Sequence, residues 1–259
     1  THTTGDIIPD PSLPLIGVDS DITVGYVGYL RTLNLFGRSS NLILELPYAD
    51  GSTESEHLEL GLIDREYRGL GDVGVTLSLN LLGAPAMDKQ GFAQLRADPK
   101  PIIGVSLKLL APTGDYEDDK LINVGANRWA TKAEVGSMLV LNHKWLLEFE
   151  VGAWVFGDND DFLGGLTKEQ APLYSVEAHL VRRFSPGFWA SLDLNAYKGG
   201  RSKVEGIRLD DLQRDSAIGA TLVFPFAKGQ AIKASYTTGS VNDSDESFDI
   251  YQLSYQRLF

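Results

Sequence analysis

The sequence predicts an all-β protein, a transmembrane antiparallel β-barrel of about twelve strands. Along its 259 residues, apolar and polar side chains repeatedly alternate, which is the period of a strand with one apolar and one polar face. The last such segment ends on an aromatic residue, Phe259, as the final strands of bacterial outer-membrane barrels do. The segments are joined by connections that alternate between short turns and long loops, which is typical of barrel strands.

The predicted strands follow one another from residue 22 to the last residue. They span 22–35, 39–47, 57–67, 71–82, 101–111, 131–141, 144–156, 173–184, 188–198, 215–226, 230–239 and 247–259. Each is long enough to cross a bilayer, because a tilted transmembrane strand needs about 9–11 residues. Their even number is the rule for bacterial single-chain barrels.

Two segments show the alternation clearly. In the segment 144–156 one face carries Trp145, Leu147, Phe149, Val151, Ala153 and Val155, and the other carries Lys144, Glu148, Glu150 and Trp154. In the last segment one face carries Tyr251, Leu253, Tyr255 and Phe259, with Arg257 as the exception. An edge strand of a soluble β-sandwich alternates as well, so this pattern alone leaves that class open.

The connections predict an orientation in a Gram-negative outer membrane. Short turns occur at Asn142-His143, Ser185-Pro186-Gly187 and Ala227-Lys228-Gly229, and long polar segments occur at 112–130, 157–172 and 199–214. With an even strand count both termini are periplasmic, so the long segments face outside. Segment 83–100 is the exception, because it is long and falls on the periplasmic side. Met87 to Ala97 predicts a short helix there.

The chain divides into an N-terminal extension, residues 1–21, and the barrel, residues 22–259. The prolines of the extension fix φ and remove backbone donors, so no strand is expected. Apolar side chains in it favour burial, and the barrel lumen is the nearest shelter, which predicts a plug formed by Ile7, Ile8, Pro9, Pro11, Leu13, Pro14 and Leu15. A disordered leader is the alternative.

Composition excludes several classes of protein. No stretch of eighteen apolar residues occurs, which excludes a protein that spans the membrane with helices. The net charge of -12 argues against a nucleic-acid partner, which a basic surface would attract. The chain has no Cys and no His cluster, and no glycine loop of the phosphate-binding type follows a strand, so no metal or cofactor is predicted.

The alternation places charged side chains of both signs on the inner face of the predicted barrel. They are Glu45, Glu59, Lys108, Lys132, Glu134, Lys144, Glu148, Glu150, Glu177, Arg183, Asp193 and Lys233. One interpretation is a ladder of salt bridges that fills and stiffens the lumen. The other is a polar constriction that filters solutes.

Residues in the predicted loops have structural and functional interpretations. Asp72 and Asp115 follow the turn patterns Gly-Asp and Thr-Gly-Asp, which predicts side-chain-to-backbone hydrogen bonds. Arg128 is expected to fold its long loop into the lumen, or Trp129 to anchor the loop at the membrane interface. The acidic runs of the loops are interpreted as solvated surface near lipopolysaccharide, with a calcium site as the alternative because carboxylates favour hard cations.

Ordered short motifs carry a family resemblance. They are Gly69-Leu70-Gly71-Asp72, Leu110-Ala111-Pro112-Thr113-Gly114-Asp115-Tyr116, Lys120-Leu121-Ile122-Asn123, Asn127-Arg128-Trp129, Trp154 with Asp158-Asn159-Asp160-Asp161, and Gly199-Gly200-Arg201. In this order they resemble an outer-membrane channel family involved in the meta-pathway of phenol degradation. The resemblance, over roughly residues 30–259, implies passage of aromatic or other hydrophobic compounds rather than ring chemistry.

The predicted function is passive uptake of small hydrophobic or aromatic molecules by a monomeric channel among outer-membrane lipids and lipopolysaccharide. A lateral exit into the membrane needs a weak seam, for which Pro112 and Pro225 are candidates because proline cannot donate to the ladder. One alternative is a narrow porin for hydrophilic solutes. Another is a lipid-modifying enzyme that uses His179, with Glu177 and Ser175 on the same face.

Overall fold

A computed structural model describes residues 20–57, 61–240 and 247–258. The predicted plug, the inward-facing Glu59 and the terminal Phe259 lie outside these residues. The plug and the division of the chain into two parts therefore stay predictions.

The described chain consists almost entirely of strands. Twelve of them form the main sheet: β1 (Ser20–Leu35), β2 (Arg38–His57), β3 (Gly61–Leu70), β4 (Val73–Leu82), β5 (Ile102–Ala111), β6 (Ala130–Asn142), β7 (Trp145–Phe156), β10 (Leu173–Ser185), β11 (Phe188–Gly199), β14 (Ser216–Ala227), β15 (Gln230–Ser240) and β16 (Ser247–Arg257). A smaller sheet contains β8 (Asn159–Phe162), β9 (Leu166–Gln170), β12 (Ser202–Val204) and β13 (Ile207–Arg208). One helix, α1 (Lys89–Ala97), lies between β4 and β5.

The main sheet is antiparallel and curled like a barrel, which confirms the predicted all-β fold. The short turns at 36–37, 143–144, 186–187 and 228–229 lie at one end of the sheet, here called the short-turn end. The connections 112–129, 157–172 and 200–215 lie at the opposite, long-loop end. The small sheet was not predicted. Two of these long connections fold back on each other, and β12 pairs with β9 to form it.

Strands β3 and β4 occupy one position beside β2. The C-terminal half of β2 pairs with β3, from Tyr48↔Leu70 to His57↔Gly61. The N-terminal half of β2, Ser40 to Glu45, pairs with β4. The predicted end of the strand at residue 47 is wrong. The polar residues that follow continue β2, which forms a hairpin with β3 at the long-loop end of the sheet. Because the turn 36–37 lies at the short-turn end, β1 starts at the long-loop end, whereas β16 finishes at the short-turn end beside Gln230. The even strand count predicted that the first strand would start at the end opposite the long loops, and that direction is wrong because β3 and β4 share one position in the sheet.

The distribution of polar and apolar side chains is the reverse of that in a soluble protein. On β11, Leu192 is 60% exposed and Leu194 is 54% exposed, while the intervening Asp193 is 0% exposed. Charged side chains are almost never buried in soluble proteins unless they are paired. A barrel in lipid requires this arrangement, with an apolar outer band and a polar interior.

Apolar clusters lie above and below the polar interior. Toward the long-loop end, Leu110, Ala130, Trp154, Phe156 and Leu173 pack together and are called here the upper apolar layer. Toward the short-turn end, another cluster contains Leu146, Val181, Trp189 and Val223. The alternation along each strand explains both clusters, because they share the inner face with the charged residues between them.

Segment 83–101 forms a strap at the short-turn end. At its start, Ser39 N–H donates to the carbonyl of Ala84 (3.2 Å), and Ala86 N–H donates to that of Gly37 (2.9 Å). Near the end of α1, the Arg183 side chain of β10 donates to the Arg96 carbonyl. Four strands, β4 to β7, separate β2 from β10 in the sheet, so the strap crosses from one side of the opening to the other.

The predicted helix within this strap is confirmed as α1. Its N-cap is Asp88, whose side chain accepts a hydrogen bond from Gly91 N–H at 2.8 Å. In the described part of the chain, no helix is long and apolar enough to cross a membrane.

Candidate functional site

Charged and polar side chains line the middle of the inner face between the two apolar layers. We call Lys132, Glu134, Glu177, His179 and Asp193 the polar belt. They come from β6, β10 and β11, with β7 lying between β6 and β10, and each points inward because its sequence neighbours point outward. The belt is the best candidate for a site that contacts a passing solute.

Lys132 connects two carboxylates within the polar belt. Its Nζ lies 2.6 Å from Glu134 Oε1 and 3.0 Å from Glu177 Oε1, and only 7% of its side chain is exposed. The ammonium group also lies 5.9 Å from the centre of the Trp154 ring. Because both carboxylates approach the same cation, Lys132 offsets part of the negative charge of the wall.

Asp193 accepts hydrogen bonds from two side chains on the inner face of the barrel. Its Oδ1 accepts a hydrogen bond from His179 Nδ1 at 2.7 Å, and its Oδ2 accepts one from Thr221 Oγ1 at 3.0 Å. His179 Nε2 lies 4.0 Å from Glu177 Oε2. Sequence reasoning missed the contact between His179 and Asp193. The register of the β10–β11 hairpin, which includes a shift between Arg183 and Ser185, places them opposite each other.

Glu45 and Lys108 form a further ion pair across a glycine. Lys108 Nζ lies 3.2 Å from Glu45 Oε2, although β4 separates their strands. Gly74 faces Glu45 on β4, and a Cβ there would lie 3.3 Å from the Glu45 carboxylate. The missing side chain at Gly74 leaves the space in which the two charges meet.

Of the remaining residues predicted to line the lumen, those in the described strands face inward, and Lys144 does not. Glu150 lies beside Gly136 on the inner face, and Glu148 and Lys233 are 3% and 5% exposed. Arg183 points inward near the strap. The prediction that Lys144 lines the lumen is wrong. Lys144 is exposed in the turn that precedes Trp145, the first residue of β7.

The two prolines predicted at a seam lie at different kinds of position. Pro112 follows the last residue of β5 and is outside the sheet. Pro225 is within β14, pairs with Ala231 and sits beside a register shift near the short-turn end. Both flanking strand pairs are otherwise continuous. Among the described residues, the sheet instead has its two ends at β1 and β16.

The residues of the enzyme alternative do not assemble a catalytic triad. Ser175 is buried, and its Oγ makes no hydrogen bond, so His179 does not hold it as a nucleophile. In the part of the chain that the structure describes, no three His, Cys, Asp or Glu side chains are arranged to hold a metal ion.

Asp72 fixes the connection 112–129 at the long-loop end. Its Oδ1 accepts hydrogen bonds from the N–H groups of Thr113 (3.0 Å) and Gly114 (2.8 Å), and its Oδ2 accepts one from Ala126 (2.9 Å). In the same region, Leu70 N–H donates to Asp115 Oδ2 at 2.8 Å. The two aspartates of the Gly-Asp and Thr-Gly-Asp patterns therefore hold backbone, as the sequence predicts.

Arg128 turns from this connection into the interior, and its neighbour Trp129 is 53% exposed. The Arg128 guanidinium carbon lies 4.6 Å from the centre of the Phe156 ring, and Nη2 donates to Gln170 Oε1. Burial lowers the pKa of Arg128 to about 10, and the charges of two nearby aspartates partly oppose this shift. The side chain of Arg128 is therefore buried, as the first expectation for this loop requires, while the anchoring of the loop by Trp129 stays a prediction.

The family comparison agrees with the motifs of the loops. Residues 6–255 match the family described as "Putative MetA-pathway of phenol degradation". The chain belongs to this family. It is the family that the ordered motifs indicated. No curated protein matches the sequence.

Among solved structures, the COG4313 outer membrane channel from Pseudomonas putida F1 is similar to this chain. The TM-score is 0.79 at 23% sequence identity, and the match covers 93% of this chain and 85% of that one. At this identity the likeness establishes the fold. It places the curled sheet in a known type of architecture.

Proposed function

We propose that this chain forms an outer-membrane channel for passive uptake of small hydrophobic or aromatic molecules. The observation that carries the proposal is the reversed wall, in which Asp193 is buried between the exposed Leu192 and Leu194. A wall of this kind is stable only when its outer face contacts lipid and its inner face contacts water or polar groups. The family and the similarity to an outer membrane channel support the same function.

In this proposal the short-turn end faces the periplasm and the long-loop end faces outside, as in bacterial barrels. The solute enters among the long loops and reaches the upper apolar layer. Each CH₂ group transferred from water to an apolar environment contributes about 0.8 kcal/mol, which favours this step.

The polar belt makes the second half of the route difficult for an apolar solute. An apolar molecule gains nothing by crossing the charged residues around Lys132, so a sideways exit into the membrane is the more favourable continuation. The sequence-based candidates for that exit are Pro112 and Pro225. The end strands β1 and β16 are a further candidate, because backbone pairing between them is absent from the described residues.

The N-terminal extension is proposed to plug the lumen. Strand β1 begins at the long-loop end, so a preceding segment that comes from the periplasm must traverse the length of the barrel. Nineteen extended residues reach at most about 65 Å, which is sufficient for that distance. Deleting residues 1–19 is expected to raise single-channel conductance, and unchanged conductance would remove the plug hypothesis.

A narrow porin for hydrophilic solutes is the second candidate function, and the polar belt favours it. The two functions differ in what the chain admits to cells. We expect Gram-negative cells that express the chain to take up the apolar aromatic dye N-phenyl-1-naphthylamine faster than cells with the empty vector. Uptake of the hydrophilic β-lactam nitrocefin should change little.

Dye fluorescence and nitrocefin hydrolysis by a periplasmic β-lactamase provide the two measurements. The control is an unrelated barrel expressed at the same level in the outer membrane, which corrects for disturbance of the lipid. Faster nitrocefin entry without faster dye entry would replace the hydrophobic channel by the narrow porin.

A further inference from the structure

Arg128 is a buried cation with an unused hydrogen-bond donor. Its side chain is 8% exposed, Nη2 donates to Gln170, and Nη1 is buried without any hydrogen-bond partner. A buried donor that lacks a partner costs about 1–3 kcal/mol, and more when the group is charged. Such a group needs an acceptor that the described side chains do not supply, for example a water molecule, an ion or a bound solute.

The surroundings of Arg128 are aromatic. Its guanidinium lies over Phe156, which stacks with Trp154 at a centroid distance of 6.2 Å and an interplanar angle of 7°. Trp154 is 3% exposed, and its indole Nε1 is a second buried donor without a partner. Both unused donors therefore belong to residues that contact Phe156 in the upper apolar layer.

A second cation, Lys168, lies on β9 two residues before Gln170, the hydrogen-bond partner of Arg128. Lys168 Nζ is 4.9 Å from the centre of the Phe162 ring. Burial and then the charge of Arg128 lower the pKa of Lys168, whereas Asp211 raises it. Two cations held against phenyl rings, of which Arg128 disfavours the charged form of Lys168, form a site that an anion would stabilise.

The acidic residues near this pair do not neutralise it by direct contact. Asp72 and Asp158 act on Arg128 electrostatically, but no carboxylate forms an ion pair with Arg128 in the described part of the chain. Asp72 already accepts hydrogen bonds from three backbone N–H groups, and Asp158 is exposed to solvent. A further acceptor is needed to satisfy Nη1.

We infer that Arg128 and Lys168 bind the carboxylate of a small aromatic acid at the outer end of the lumen. The planar guanidinium presents paired donors that suit a carboxylate. The aromatic ring of the ligand contacts Phe156 and Trp154, since aromatic pairs favour offset or edge contacts. This inference rests on the proposed channel function and narrows its solutes to include anionic aromatic molecules.

Binding to the full-length chain in detergent tests the inference, with benzoate, benzyl alcohol and acetate as probes measured by calorimetry. Benzyl alcohol keeps the ring without the charge, and acetate keeps the charge without the ring. Benzoate is expected to bind about tenfold more tightly than either, because only benzoate supplies both a charged acceptor and a ring. Equal binding of benzoate and benzyl alcohol would overturn the inference and assign water to the unused donors.

Substitutions then locate the site. Arg128→Gln is expected to weaken benzoate binding about tenfold, since it removes a charged donor. Arg128→Lys keeps the charge but not the paired donors, so its benzoate affinity should lie between those of Arg128→Gln and the unsubstituted chain. The matched control is Arg208→Gln, which removes an exposed arginine of β13 at the same end of the sheet and should leave binding unchanged. Unchanged benzoate affinity in Arg128→Gln would contradict the assignment.

Two further measurements separate folding and channel effects from binding. If Arg128→Gln fails to fold, Lys168→Gln on β9 takes its place. Unchanged benzoate affinity in Lys168→Gln then overturns the inference. Uptake of the neutral dye is measured with the unsubstituted chain, so that the channel function is tested apart from the anion site. If the unsubstituted chain takes up the dye but does not bind benzoate, the anion site is wrong and the proposed channel function stands. If it binds benzoate but does not take up the dye, the proposed channel function is wrong.

Discussion

Lys132 determines how much negative charge the lumen wall presents. It contacts Glu134 and Glu177 in a region where the neighbouring belt residues are buried. Buried ion pairs contribute little net stability, but removal of one partner costs about 3–5 kcal/mol because the other charge stays buried. The role of Lys132 is therefore better tested by the selectivity of the channel than by its stability alone.

Lys132→Met is expected to make the channel more selective for cations. The change removes the cation between two carboxylates, so the local potential in the lumen becomes more negative. The reversal potential of the purified chain in a planar bilayer, measured under a KCl gradient, reports this shift. Lys132→Met combined with Glu134→Gln should return selectivity toward that of the unsubstituted chain.

Lys108→Met is the matched control for Lys132→Met. Lys108 also lies on the inner face, but its partner Glu45 keeps 31% of its side chain exposed, so water screens the change. We expect a smaller shift in reversal potential from Lys108→Met. Equal shifts in the two variants would mean that the belt does not set selectivity.

The strap is the element whose position matters most for an open path. It leaves β4 through Gly83, which has φ +82° and faces Pro101, where a Cβ would lie 1.9 Å from the Pro101 carbonyl oxygen. Only glycine fits this close approach between the two ends of the strap. From there the segment pairs with the turn before β2 and reaches Arg183 on β10.

Replacing residues 86–99 by a short glycine-rich linker is expected to increase single-channel conductance about twofold or more, because a wider opening lowers resistance. Arg183→Met should give a smaller increase, since it removes one contact and leaves the strap in place. Conductance is measured in planar bilayers, with heat-modifiable migration in electrophoresis as the control for folding. If both variants conduct as the unsubstituted chain does, the strap does not cover the path.

The whole molecule is stable only in a solvent that matches its reversed surface. Exposed side chains such as Leu107 (53%) and Tyr174 (60%) face outward where a soluble protein would present polar groups. Large exposed apolar areas cause association in water. The chain therefore needs lipid or detergent around its outer band.

We expect the chain to purify only in detergent and to migrate faster in electrophoresis before boiling than after it. Paired strands leave little unpaired backbone, so the folded form resists the denaturing detergent. Far-UV circular dichroism should be dominated by β-structure. A monomer that is soluble without detergent would contradict the interpretation of the reversed wall.

The alternation of side chains was sufficient to predict most of the fold. It located β5, β7 and β11 within a few residues, because a strand with one face in lipid and one in the lumen must alternate along its length. It also placed Glu177, Lys132 and Asp193 inward. It failed at β2, where polar residues after Pro47 continue the strand above the sheet, since alternation is lost once neither face contacts lipid.

Contacts between strands depended on the tertiary structure. The sequence by itself determined which side chains of each strand face inward, because that depends only on the local period of two. Which inward side chains meet depends on register and on backbone that returns from distant segments. Only the fold therefore decided that His179 contacts Asp193, that the strap reaches Arg183, and that Arg128 lies over Phe156.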